Sequence, residues 1–232
     1  MLYKHLFKEK FMSRLYQESH RALQDEFGTR KLADRVEAFV CLAEFSKEAK
    51  QFIENLDFFF LSTVDSRGRP TVSYKGGDVG FVRITDSKTL IFPIYNGNGM
   101  YYSAGNIQEN SEVGLLFMSF EKPHRIRVQG KAQLNKESKY TDLFPGSEMV
   151  VTVALSEFWQ NCPRYIHKYQ KVRQSKNVPD AAGKFPLATW KRIDGIQDVL
   201  SAGDQRLASA AGLITAEEWQ LKVESGADDA SA

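Results

Sequence analysis

Few residues in this chain group in a way that could do chemistry. The run Asn96-Gly97-Asn98-Gly99 carries little side-chain bulk and leads into MYYSAGNI, where Met100, Ala104 and Ile107 fall at helical spacing. A slim loop opening a helix aims unpaired N–H groups outward, and such a place draws phosphate. Lys75, Arg125 and Arg127 are cations on strand-like runs. From spacing alone they read as solvated strand positions, and the loop as a plain turn. Further on, NCPRYIH gathers a guanidinium, a phenol and an imidazole in Arg164, Tyr165 and His167. Such a group could pair with an anion and orient it, or be a packing motif. Cys162 lies beside Arg164 and His167, which would favour its thiolate, but a structural thiol is the simpler reading.

The elements that must position these groups read mostly as strands. Short apolar or alternating runs are parted by Gly, Asp, Ser and Asn clusters. Phe58–Val64 holds too many aromatics to be half exposed. Asp65-Ser66-Arg67-Gly68 is a turn, and Arg69-Pro70 begins the return strand through Tyr74. Gly76 to Gly80 is a loop or bulge that lets backbone approach something closely. Phe81–Ile84 pairs with Thr89–Pro93, and Glu112–Phe120 with His124–Asn135. Several short strands with hairpin turns and one inserted helix predict a closed or split barrel.

Around this core the periodicity becomes helical. Residues 12–27 put Met12, Leu15, Tyr16, Leu23 and Phe27 near one face, and Gly28 offers a stop. A second helix follows Thr29, with Leu32, Val36, Phe39 and Val40 apolar; Ser46 caps a third. These helices are expected to cover part of the barrel, with Tyr16, His20 and Arg21 at the surface. After the barrel come a short helix in 136–146, a strand at Met149–Leu155, a helix opening at Pro163, a loop over 174–188 and a capped helix after Ile214. The ending SGADDASA is expected to be disordered. The expected division is a helical extension over 1–56, a core over 57–170 and a loop and helical extension over 171–232, together one structural domain.

Composition narrows the classes. The 232 residues suit one full domain with extensions, and 42% hydrophobic with 26% charged content is ordinary for a globular protein. A net charge of +2 gives no electrostatic case for nucleic acid. No apolar run is long enough for a bilayer, and MLYKHLFKEKF lacks the apolar core of a signal peptide. Cys41 and Cys162 lie in different kinds of segment, and no CxxC or Cys/His cluster suggests a metal. A reduced, cytoplasmic protein is the expectation.

The order of FLSTVDSRGRPTVSYKGG, GFVRI, IFPIYNGNGM–AGNI, EVGLLF and HRIRVQGKAQL resembles that of flavin-binding split-barrel proteins related to pyridoxamine 5′-phosphate oxidase. NCPRYIH is similar to a signature of one uncharacterised branch. The resemblance is dense over Phe58–Leu134 and touches Asn161–His167. It implies a mainly β, Greek-key split β-barrel with N-terminal helices and a helical C-terminal segment. It further implies a homodimer holding FMN between subunits, acting as an oxidoreductase on a small molecule. The positions matching the family's cofactor segments are Ser73, Tyr74, Lys75, Phe92, Pro93, Gly97, Asn98, Arg125 and Arg127. A substrate would meet Arg164, Tyr165 and His167. Gly97-Asn98-Gly99 replaces the oxidase's Ser-Arg-Lys run, and no C-terminal Arg-x-His substrate motif is present, so pyridoxine phosphate oxidation is not the expected activity. The alternatives are a flavin or haem binder without turnover, and a deazaflavin-dependent reductase.

Overall fold

The computed structural model describes residues 13–227. Met12 of the expected first helix, the MLYKHLFKEKF segment and residues 228–232 of the expected disordered tail lie outside it. Three helices come first: α1 (Glu18–Glu26), α2 (Arg30–Val40) and α3 (Lys47–Glu54), with a short strand β1 (Cys41–Leu42) before the third. The barrel strands are β2 (Phe58–Val64), β3 (Pro70–Gly76), β4 (Arg83–Asp86), β5 (Thr89–Tyr95), β6 (Glu112–Ser119), β7 (His124–Asn135) and β8 (Ser147–Asn161). Between strands lie α4 (Tyr102–Glu109) and α5 (Ser138–Thr141); α6 (Ala202–Ala211) and α7 (Ala216–Glu224) close the chain.

The sheet is antiparallel in the order β3-β2-β6-β7-β8-β5-β4, with β1 on the outer part of β8. β3 and β4 end this path without pairing each other, and there the barrel is split. Strand alternation builds its core. Phe59, Leu61 and Thr63 of β2 point in and are buried, while Phe58, Phe60 and Ser62 point out and are half-buried. Phe59 is the hub, with the rings of Phe81, Phe92 and Phe117 around it. A fully buried phenylalanine contributes roughly 1.5–3 kcal/mol relative to exposure. The expectation that β2 has no half-exposed face is therefore corrected: its outward aromatics pack on Tyr74 and Phe120 and stay partly open. The Gly76 to Gly80 loop does admit a close approach. A Cβ on Gly77 would run into the Phe81 ring, and one on Gly76 into the Tyr74 ring.

The extensions differ more from expectation. The first helix begins at Glu18, because the Ser13 hydroxyl and the Arg14 and Leu15 N–H groups all donate to the buried Glu37 carboxylate, at 2.8, 2.6 and 3.1 Å. That anchor holds the preceding backbone off the helix. Leu32, Val36 and Phe39 are exposed, so the apolar stripe of α2 does not cover the barrel. The third helix follows its signals: the Ser46 hydroxyl accepts the Ala49 N–H at 3.1 Å. No helix opens at Pro163. β8 runs on to Asn161, and a turn follows in which Ile166 N–H donates to Pro163 O at 3.1 Å. Tyr165 sits at φ 69°, outside the helical region, and ends any helical continuation.

Candidate functional site

The glycine loop and its helix form a corner, with the helix packed on β2 and β7 and touching β3 at Ser73. Asn98 accepts the Met100 N–H at 3.1 Å, and Gly99 at φ 74° and Tyr101 at φ 46° turn the chain into α4. No side chain caps the start of α4, so its first N–H groups keep their donor capacity. Asn96 and the Tyr101 hydroxyl both donate to Glu148, at 2.8 and 2.7 Å, and fasten the loop to β8. Lys191, a buried cation in the 3-10 turn Thr189–Arg192, donates to Asn96 at 2.9 Å and to Asp204 at 3.0 Å. Sequence reading missed this tie, since one lysine in an irregular segment carries no periodic signal.

In the first turn of α4 the Ser103 hydroxyl lies 3.0 Å from that of Ser73 on β3. Lys75 is two residues further along and shares that strand face, about 7 Å away by strand rise. In the register Lys75 stands opposite fully buried Phe59, so its stem enters the barrel end. Burial holds the Lys75 amine below the usual lysine value, and no partner among the described residues offsets this. Two hydroxyls, an uncapped helix start and a desolvated cation without a carboxylate suit a phosphate group chemically. Phe92 is completely buried in the barrel core against Phe59, and Pro93, also buried, leaves the strand on the opposite face, so neither offers a side-chain contact surface. Gly97 and Asn98 are exposed on the loop itself.

Other residues of the expected set lie on the opposite face of the sheet. Tyr74 points outward beside Phe60, and that row continues through Leu116 and Arg127 to Trp159. Arg125 and Arg127 alternate with buried Ile126 and Val128, so both face out. The Nε of Arg125 and the Oδ1 of Asn161, its cross-strand neighbour, are buried without hydrogen-bond partners. Arg164, Tyr165 and His167 are exposed on the turn after β8, with the Arg164 guanidinium 6.0 Å from the Tyr165 ring centre.

Two clefts open on this surface. One of about 680 Å³ lies between outward β2–β3 aromatics and the stretch from Tyr169 to Val178. The other, about 450 Å³, is lined by Phe39, Ser46, His124, Gln160 and Cys162. His124 there packs edge-on against Phe52, and burial holds its imidazole below the usual value. Arg164, Tyr165 and His167 line neither cleft. Among the described residues, no cluster of His, Cys, Asp and Glu could hold a metal ion, and no helix is long and apolar enough to cross a membrane.

An antiparallel barrel split between β3 and β4, with one helix inserted behind a glycine loop, defines a split-barrel protein. Residues 45–174, more than half the chain, match the family described as pyridoxamine 5′-phosphate oxidase, and the chain belongs to that family. No curated protein matches it. Solved structures similar to it include HupZ of Group A Streptococcus, 21% identical over 54% of this chain and 99% of that one, with a TM-score of 0.42. An FMN-binding protein from Syntrophomonas wolfei is 14% identical over 60% of this chain and 97% of that one (TM-score 0.40). The haem storage protein of Vibrio cholerae is 17% identical over 49% and 92% (TM-score 0.36).

Proposed function

We propose that this chain binds FMN as a homodimer and acts as a flavin-dependent oxidoreductase on a small molecule. The observation that carries the reading is Lys75: a half-buried cation without an anionic partner, on the same strand face as the Ser73–Ser103 pair. Its amine, the two hydroxyls and the first N–H groups of α4 would hold the phosphate. The Asn96–Gly99 backbone would pass close to the cofactor, with Phe92 and Pro93 buried in the strand that leads into it. When bound, the flavin supplies the redox chemistry, which fits a chain whose groups form no evident acid–base pair.

The division of the site supports the dimer. Ser73 and Lys75 share the face of buried Phe59, whereas Arg125 and Arg127 share that of outward Phe60. One flavin can meet both groups most directly when they come from different chains. Arg164, Tyr165 and His167, exposed beyond the end of β8, would then bind the substrate's anionic group from the dimer's rim.

Titration with FMN and riboflavin tests the reading. FMN should bind at one per chain and riboflavin much more weakly. A Soret band on haem addition with no flavin uptake would establish the haem-binding alternative instead.

A further inference from the structure

The larger cleft stands apart from the phosphate corner, because Tyr74 and Lys75 leave β3 on opposite faces. Its sheet wall is a stack of rings. Phe58 lies nearly parallel to Tyr74, 5.5 Å between centres and 12° between planes, and to Phe120, at 5.9 Å and 7°. Phe60 closes the wall edge-on to both Phe58 and Tyr74. The opposite wall is an irregular strap running from Tyr169 to Val178. Three bonds peg it down: Tyr169 N–H to Phe120 O at 3.1 Å, Lys171 N–H to Glu121 Oε1 at 3.1 Å, and Lys171 Nζ to Asp57 Oδ2 at 2.5 Å. The aromatic wall is thus faced by the chain's own strap, leaving a walled space of about 680 Å³ rather than a flat patch. That size lies within the roughly 300–1,000 Å³ of small-molecule sites.

The charges decide what fits. The charged side chains at the cleft are Asp57 and Glu121 against Lys171 and Arg173, so their formal charges cancel. The Asp57 carboxylate also raises the pKa of the Lys171 amine, which keeps that cation committed to its pair. An ionic ligand would have to break a pair or lose water without compensation. A flat uncharged ring meets parallel aromatic faces, and its polar edge meets the amides and hydroxyls of Asn55, Ser119 and Ser175. We propose that this cleft is a second ligand site, apart from the phosphate corner, which takes a neutral planar aromatic molecule of about naphthalene size.

Calorimetric titration of the full chain with naphthalene-2-carboxamide, naphthalene-2-carboxylate and 2-naphthylmethylammonium tests this. The carboxamide should bind at one per chain and at least about tenfold more tightly than either ion. Tyr74→Ala, at an exposed position, should weaken it about three- to tenfold. Ser175→Trp, on the exposed strap, should fill the cleft and abolish binding even if the first variant does not fold. Saturation with FMN should leave the carboxamide affinity unchanged. No binding, equal binding of an ion, or indifference to Ser175→Trp would overturn the proposal. So would displacement by FMN, which would make the cleft the flavin's own slot, or loss of binding on dimerisation, which would give it to a second copy. The proposal survives a failure to bind flavin, because the carboxamide titration does not depend on the cofactor.

Discussion

Replacing Lys75 by methionine separates the phosphate reading from a structural one. The Lys75 stem enters the barrel end opposite Phe59, and its amine is desolvated without gaining a partner. A lysine whose folded pKa is lowered costs stability at pH below that value, and the cost fades as pH rises toward the unfolded value. Lys75→Met keeps the stem's bulk and removes that cost, so at neutral pH the cofactor-free variant should melt at the same or a higher temperature. Adding FMN reverses the sign of the wild-type term, because phosphate compensates the charge. A charge-assisted hydrogen bond contributes roughly 1.5–3 kcal/mol, and each 1.4 kcal/mol is about tenfold in affinity. Lys75→Met should therefore weaken FMN about ten- to hundredfold and leave riboflavin unchanged, as read by quenching of flavin fluorescence. Equal losses for both ligands, or a lower melting temperature for the cofactor-free variant, would refute the reasoning.

The other expectations concern the scaffold and the interface. Glu37→Ala leaves three donors without their acceptor and should cost about 1–3 kcal/mol per stranded buried group at most, seen as a lower urea midpoint with flavin binding retained. Gly77→Ala drives a methyl group into the Phe81 ring and should destabilise the fold by about 1–3 kcal/mol in the same assay. If the chain forms the proposed dimer, Arg125→Glu with Arg127→Glu should convert it to monomer in light scattering and lower FMN affinity together with it, since both arginines face outward. On the proposed function, Arg164→Ala should raise the substrate's KM and leave the flavin spectrum and proposed dimer intact, because its side chain is on an exposed turn.

The barrel was legible because its signals are local. The Asp65–Gly68 turn, the alternation of Arg125 and Arg127 with Ile126 and Val128, and the Ser46 cap each depend on near neighbours in sequence. The corner proposed for the phosphate is half legible: the loop and Lys75 stand out in the sequence, but Ser103 does not. Its approach to Ser73 is made by the packing of α4 on β2, where Asn106 donates to Thr63 at 3.0 Å. Long-range contacts defeated the sequence at the ends. Pro163 is a fair helix signal, yet β8 keeps pairing with β7 as far as Asn161 and Tyr165 then turns left-handed. The stripe of Leu32, Val36 and Phe39 looks like a core face but is exposed, because α2 turns buried Glu37 toward the N-terminal segment. α6 was missed altogether, its Ala-, Gly- and Ser-rich sequence showing little amphipathic pattern although Ala208 is buried.

The central claim is that FMN is held by its phosphate at the Ser73–Lys75–Ser103 corner of a dimer. Equilibrium titration of the full chain with FMN and then riboflavin, followed by flavin fluorescence with mass determined on the same sample, addresses it most directly. The account predicts one FMN per chain in a species of twice the chain mass, with riboflavin at least about tenfold weaker. Equal affinity for the two flavins, or FMN bound at full stoichiometry by a monomer, would contradict it.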